Sequence, residues 1–232
     1  MIVKRPANER GHANHGWLDT YHTFSFGSYH DPDHMGFRAL RVINDDIIQG
    51  GQGFGTHGHQ DMEIVSYLVD GALEHKDSMG NGSVLRPGDV QRMTAGRGIR
   101  HSEFNPLPDQ DCRLLQIWIE PERSGLEPGW EEKHFAAAGK RNQLQLLVSP
   151  DGAAGSMIIN QDVRLHATIL EEGNAVSLDL GTNRSAWVQM VRGQVDLDEI
   201  VLEHGDGAAV TGESTITLRA RRESEVLVFD LA

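Results

Sequence analysis

A single cysteine, Cys112, stands in the whole chain, so no intramolecular disulfide can form and no thiolate metal cage can be built. The segment Asp111-Cys112-Arg113-Leu114-Leu115 reads as the start of a strand, with the thiol a free structural group rather than a nucleophile. Long hydrophobic runs are missing as well. No stretch approaches the roughly 20 apolar residues that a membrane helix needs. Residues 1–16 are polar and carry no apolar core of a secretory signal, so a cytoplasmic protein without membrane contact is expected. Prolines number only 8 against 26 glycines, and aromatic residues make up 6%.

Basic residues are scarce relative to acids: 21 against 34, for a net charge of −13. Such a surface repels phosphates and anionic lipid, so direct nucleic-acid binding through a broad face is not expected. A basic protein partner stays compatible with it. What is abundant is short apolar runs punctuated by Gly-containing turns, the pattern of a strand-rich fold. The segment 38–44 alternates before meeting Asp45-Asp46, and Met62 to Val69 stops at Asp70-Gly71, a hairpin signal. Ser83 to Leu85 runs into Arg86-Pro87-Gly88-Asp89, where Pro presets φ and Gly takes the positive one. Leu114 to Ile119 and Leu144 to Val148 complete the clearest strands. Gly129 to Ala138 is the strongest helical candidate, and a short one.

The second half looks like a faded copy of the first. Residues 66–73 resemble 188–195, and Pro87-Gly88-Asp89-Val90 finds an echo in His204-Gly205-Asp206-Gly207. A polar break, Gly139-Lys140-Arg141-Asn142, separates the halves. The expected organisation is therefore all-β: two packed β-barrel domains over residues 1–138 and 139–232, each burying one strand face.

Of 12 histidines, three fall in two short Gly-rich segments. The first, residues 51–63, contains His57-Gly58-His59 and Glu63. The second, residues 96–105, contains His101-Ser102-Glu103 and Asn105. Strand side chains alternate with period two, so His57 and His59 share a face, as do His101, Glu103 and Asn105. If the two strands are neighbours, three imidazoles and a carboxylate converge. That donor set suits Fe, Mn, Ni, Cu, Co or Zn, and four protein ligands on a six-coordinate ion leave room for substrate or dioxygen. The flanking Gly53, Gly55, Gly58, Gly96 and Gly98 are expected to permit tight backbone near the ligands. Period-two counting turns both Glu63 and Glu103 inward, so it does not choose the carboxylate ligand.

These segments resemble the two motifs of the cupin superfamily. Gly51, His57, His59, Glu63 and Gly71 match the first, with the last gap one residue longer than usual. Gly98, His101 and Asn105 match the second, with Gly96 where Pro is usual. Wider similarity is to the pirin family, through Trp17-Leu18-Asp19, the segment 22–26, Gly36-Phe37, the segment 41–46 and the segment 75–80. The resemblance covers nearly all of the first ~130 residues and implies a bicupin of jelly-roll-like barrels, the C-terminal one without metal since it has no His-x-His. It favours His57, His59, His101 and Glu103 as ligands of one divalent ion, iron foremost, with Glu63 orienting a ligand histidine. It implies the activity of the family's bacterial quercetin 2,3-dioxygenases: Lewis-acid activation of a flavonol, Glu103 as general base, and O2-dependent ring opening with release of CO. Small aromatic or enolic substrates follow from it. The second reading is a metal-containing regulatory protein that acts with transcription factors, as pirin itself does.

Other candidates carry less weight. His12, His15, His22, His30 and His34 follow no common face and read as loop hydrogen-bonding groups. His75 is expected to be exposed or at the barrel mouth, and His134, His166 and His204 lack ligand partners nearby. Phe24, Phe26, Phe37, Phe54 and Trp118 are core candidates one by one, with Phe54 the best candidate for a pocket wall.

Overall fold

A computed structural model describes all residues 1–232, of which 58% are strand and 4% helix. In chain order the strands of the first part are β1 (Ile2–Arg5), β2 (Gly11–Asn14), β3 (Leu18–His22), β4 (Leu40–Ile48), β5 (Gly53–His59) and β6 (Glu63–Asp70). They continue with β7 (Leu73–Asp77), β8 (Gly82–Leu85), β9 (Asp89–Thr94), β10 (Ile99–Phe104), β11 (Cys112–Ile119) and β12 (Gly129–His134). One helical turn, α1 (Ala137–Lys140), follows. Then come β13 (Gln145–Ser149), β14 (Met157–Ile158), β15 (Val163–Leu170), β16 (Ala175–Asp179), β17 (Ser185–Leu197), β18 (Ile200–Glu203), β19 (Gly207–Thr211) and β20 (Thr215–Leu231). No helix is long and apolar enough to cross a membrane.

The chain forms two compact units, one of Gly11–His134 and one of Met1–Arg10 with Phe135–Ala232. The first ten residues therefore lie with the C-terminal half, not with residues 11–138 as the sequence suggests. The cause is pairing: Ile2–Arg5 align antiparallel with Gly207–Val210 and extend that unit's sheet. Within this unit the long strands β17 and β20 pair over most of their length. They bury a core that includes Leu197, Leu202, Val226 and Val228.

The unit Gly11–His134 contains two sheets, β12-β9-β6-β11-β4-β3-β2 and β5-β10-β7-β8. Leu18, Ile48, Leu68, Leu73, Leu85, Cys112 and Leu114 form one apolar cluster of this unit. Each such aliphatic side chain withdrawn from water contributes roughly 1.5–3 kcal/mol. Burial pushes the Cys112 thiol up to about 12, so it stays protonated and unreactive.

Two local expectations fail. Residues 129–134 are not helical: they pair in register with Thr94–Asp89 as an edge strand, and only Ala137–Lys140 make a helical turn. Strand β4 does not end at Asp45-Asp46 but passes through it to Ile48. Alternation sends the two carboxylates to opposite faces, where Asp45 accepts two bonds from Arg113 at 2.8 and 3.0 Å.

Candidate metal centre

Strands β5 and β10 are antiparallel neighbours, and His57 lies directly opposite His101. Between His101 and Glu103 the register shifts, because Gly55 and Thr56 oppose the single residue Ser102. That bulge puts Phe54, not Gly55, across from Glu103. Close backbone approach explains Gly53: a Cβ there would collide with the Glu103 carbonyl oxygen and come within 2.6 Å of Phe104 Cα. Gly96 is equally constrained, with φ +47° and the Leu126 carbonyl in the way. Gly55 and Gly58 are not tight positions, since a Cβ would meet open space or ordinary contact.

The ligand nitrogens of His57, His59 and His101 lie within 4.8 Å of one another. His57 Nε2 and His101 Nε2 are 3.1 Å apart. His57 Nδ1 donates to the Gly55 carbonyl at 2.9 Å, which leaves its Nε2 with the lone pair. Burial, with His57 next in effect, lowers the pKa of His59 to about 4. Burial again, then the neighbouring imidazoles His57, His59 and His75, lowers that of His101 to about 3. Both rings are neutral at pH 7, the form that ligates. The donor set fits a divalent ion: metal–nitrogen bonds of about 2.1 Å at a right angle span about 3 Å, close to the Nε2 separation here.

Glu103 joins this group through His101. Its carboxylate falls within 4.8 Å of His101 and His75, a second cluster that shares one histidine with the first. Burial raises its pKa to about 7, against the opposing pull of Gln116, whose Nε2 donates to both oxygens at 2.8 and 2.7 Å. Glu63 is also buried, but its carboxylate accepts from the Thr94 hydroxyl at 3.0 Å on the far side of β6. Asn105 is not part of the cluster. Its amide donates to the carbonyls of Ile48 and Gln110, tying down the chain after β10.

A cavity of about 400 Å³ opens beside the histidines, within the range of small-molecule sites. Phe26, Phe54, Ile64 and Trp118 give it apolar walls. Trp118 stands edge-on to Phe26 and to His59, with centroids 5.2 and 4.9 Å away. Phe24 instead belongs to the core, 2% exposed. Sequence reasoning missed the polar wall: His22, Asn44, Asp46 and Gln116 line the same cavity. His22 Nδ1 bonds Asn44 Oδ1 at 2.8 Å, so it is no loop group. Burial raises the Asp46 carboxyl to about 7, with Asp45 and Glu103 adding to the shift and Thr20 opposing it. The remaining N-terminal histidines follow the expectation in part: His12 pairs with Asp19 at 2.6 Å and His34 with Asp31 at 2.8 Å, while His15 reaches the cavity edge. His75 contradicts it outright, being fully buried and 3.4 Å from His101.

Comparison with known proteins points the same way. Residues 3–119 match the family model Pirin, and residues 146–231 match the model described as the quercetinase C-terminal cupin domain. The chain is 49% identical over 232 residues to the quercetin 2,3-dioxygenase of Escherichia coli K12, covering 100% of this chain and 99% of the relative. Among solved structures, YhhW of Escherichia coli superposes with a TM-score of 0.97 at 48% identity, covering 100% of this chain and 98% of that one. A second structure, bacterial pirin YhhW in complex with nickel(II), gives a TM-score of 0.95 at 48% identity, covering 100% and 99%.

Proposed function

The chain belongs to the pirin family, and from that premise we propose that it is a metal-dependent dioxygenase opening the ring of flavonols such as quercetin with O2 and loss of carbon monoxide. The observation that carries the reading is the three-imidazole cluster at the wall of a cavity whose faces are aromatic on one side and polar on the other. Flat rings pack on Phe26, Phe54 and Trp118, and phenolic hydroxyls find acceptors and donors in Asn44, Asp46 and Gln116.

In this reading His57, His59, His101 and Glu103 hold one divalent ion, with iron the expected occupant and nickel, the ion in the Escherichia coli relative, a candidate of equal fit. A cation held there supplies Lewis acidity, which lowers the pKa of a hydroxyl in contact with it. The residues do the rest. Glu103, beside the cation and on the cavity wall, receives the proton of the flavonol 3-hydroxyl as general base. Gln116 fixes both carboxylate oxygens, so the acceptor atom does not swing away. Phe54 and Trp118 exclude water from one side of the cavity. Glu63 is given no ligand role, because its carboxylate joins neither histidine cluster and does not line the cavity. The C-terminal domain is assigned no metal, and a cytoplasmic setting goes with the single buried thiol.

The test is aerobic incubation of the metal-loaded protein with quercetin. Flavonol absorbance should bleach with release of CO, and His57→Ala or Glu103→Ala should abolish both. If no absorbance is lost with iron, nickel, manganese, copper or cobalt, the enzymatic reading fails and a regulatory metal-binding role takes its place.

A further inference from the structure

Strand β7 brings two more polar side chains to the face of β10 that carries His101 and Glu103. In the β10–β7 register Glu103 opposes His75 and His101 opposes Asp77. Alternation then turns all four inward together. The side chains of His75 and Asp77 have no exposed surface. His75 does not line the cavity, so it is not placed to touch a substrate.

His101 stands between two imidazoles. Its Nε2 faces His57 Nε2, and its Nδ1 lies 3.4 Å from His75 Nδ1. A neutral imidazole that presents a lone pair at Nε2 carries its proton at Nδ1, and in a buried site that proton needs an acceptor. His75 is built to be one. The amide nitrogen of Gln91, which can only donate, is 3.3 Å from the same His75 Nδ1, so that atom carries no proton and its one lone pair is shared between Gln91 and His101. The His75 proton then sits on Nε2, facing Asp77 Oδ2 at 3.6 Å, beyond hydrogen-bond length but close enough to favour it. Asp77 is itself immobilised: its Oδ1 accepts from the backbone N–H groups of Met79 and Asn81 at 2.9 and 3.0 Å, and its Oδ2 from Asn81 Nδ2 at 2.8 Å. Trp130 lies nearly parallel to the His75 ring, 19° off plane at 6.1 Å, and limits its tilt.

We propose that His75 is a positioning residue for the metal centre: oriented by Gln91 and Asp77, it accepts the Nδ1 proton of His101 and so holds the Nε2 lone pair of His101 toward the cation. The inference rests on the metal reading of the site but not on flavonol turnover. It parallels the way Gly55 fixes His57 through a backbone carbonyl. His75 also falls in a cluster with His101 and Glu103 that a cation could bridge. The acceptor role is preferred because His75, unlike His57, His59 and His101, does not line the cavity.

The experiment measures nickel(II) affinity by competition with a chromophoric chelator, together with the visible absorption spectrum of the cobalt(II)-loaded protein. His75→Leu, which removes the acceptor, should weaken nickel binding by about 10–100-fold and alter the cobalt spectrum. His75→Gln restores an acceptor oxygen and should recover affinity to within several-fold of wild type. Should His75→Leu fail to fold by circular dichroism, Asp77→Asn carries the same expectation in weaker form, a loss of several-fold with a shifted cobalt spectrum. Wild-type affinity and spectrum in a folded His75→Leu or Asp77→Asn protein would overturn the proposal, as would a Gln variant no better than Leu. Two nickel ions per wild-type chain falling to one in His75→Leu would make His75 a ligand instead. A wild-type protein that binds no nickel or cobalt would sink the metal reading itself, which sets that failure apart from the others.

Discussion

Replacing Asp46 by asparagine should flatten the pH dependence of stability of the metal-free protein. The carboxyl is 3% exposed on the cavity wall, and burial raises it from 3.8 to about 7, with Asp45 and Glu103 adding to the shift and Thr20 opposing it. A raised acid holds its proton in the folded state through a window, here about pH 4 to 7, in which the unfolded chain has released it. Folded protein therefore binds more protons there, and stability declines as pH rises from about 4 until it levels above about 7. Three pH units correspond to about 4 kcal/mol at the alkaline end, more than half of which falls between pH 5 and pH 8. Glu103, raised from 4.5 to about 7, contributes in the same direction with a similar magnitude. Wild type should thus lose several kcal/mol between pH 5 and pH 8, and Asp46→Asn should lose roughly half as much. Urea denaturation of chelator-treated protein at half-unit pH steps measures both curves. Parallel curves for wild type and Asp46→Asn would refute the reasoning, because they would mean that Asp46 is ionised in the fold at pH 5 as it is in the unfolded chain.

Gln116→Leu removes both hydrogen bonds that its amide makes to Glu103 and leaves the buried carboxyl only the Ser66 hydroxyl at 3.5 Å, which should lower stability of the metal-free protein by about 1–3 kcal/mol in a urea melt and slow flavonol bleaching at least tenfold. Gly53→Ala drives a Cβ into the Glu103 carbonyl and should cost about 1–3 kcal/mol, with nickel affinity falling alongside because the β5–β10 seam carries all four of the proposed ligands on its two strands. Saturating nickel at about 100 times its dissociation constant should stabilise the folded chain by about 2.7 kcal/mol, read as a rise in melting temperature that EDTA reverses.

How much of this was legible in the sequence depends on the range of the signal. Period-two alternation within one strand puts His57 with His59 and His101 with Glu103, and the structure has that alternation with β5 beside β10. It is blind to the bulge that inserts a residue between His57 and Phe54, because a register shift is a property of two strands paired, not of either alone. Asp45-Asp46 reads as a strand end since adjacent charges are poor strand formers. Yet alternation separates the pair, one carboxylate to Arg113 and one to the cavity, and the strand runs on.

His75 is the sharper case. In sequence it follows a hairpin glycine, Gly71, and forms a His-x-Asp pair with Asp77, which by itself marks no metal motif. Its chemistry comes from the strand β10 laid against it, which sets His75 opposite Glu103 and leaves His101 reaching its Nδ1. The same holds for Gln116 and Asn44, which reach the cavity from β11 and β4, strands of the other sheet. The proposed ligands come as two pairs, each two residues apart, because each strand of one antiparallel pair supplies two of them. The groups that set their tautomers and charge come from any strand that the barrel brings round, so they are read from register rather than from spacing. The identity of the second layer is then a stricter measure of likeness between two such centres than the His-x-His itself.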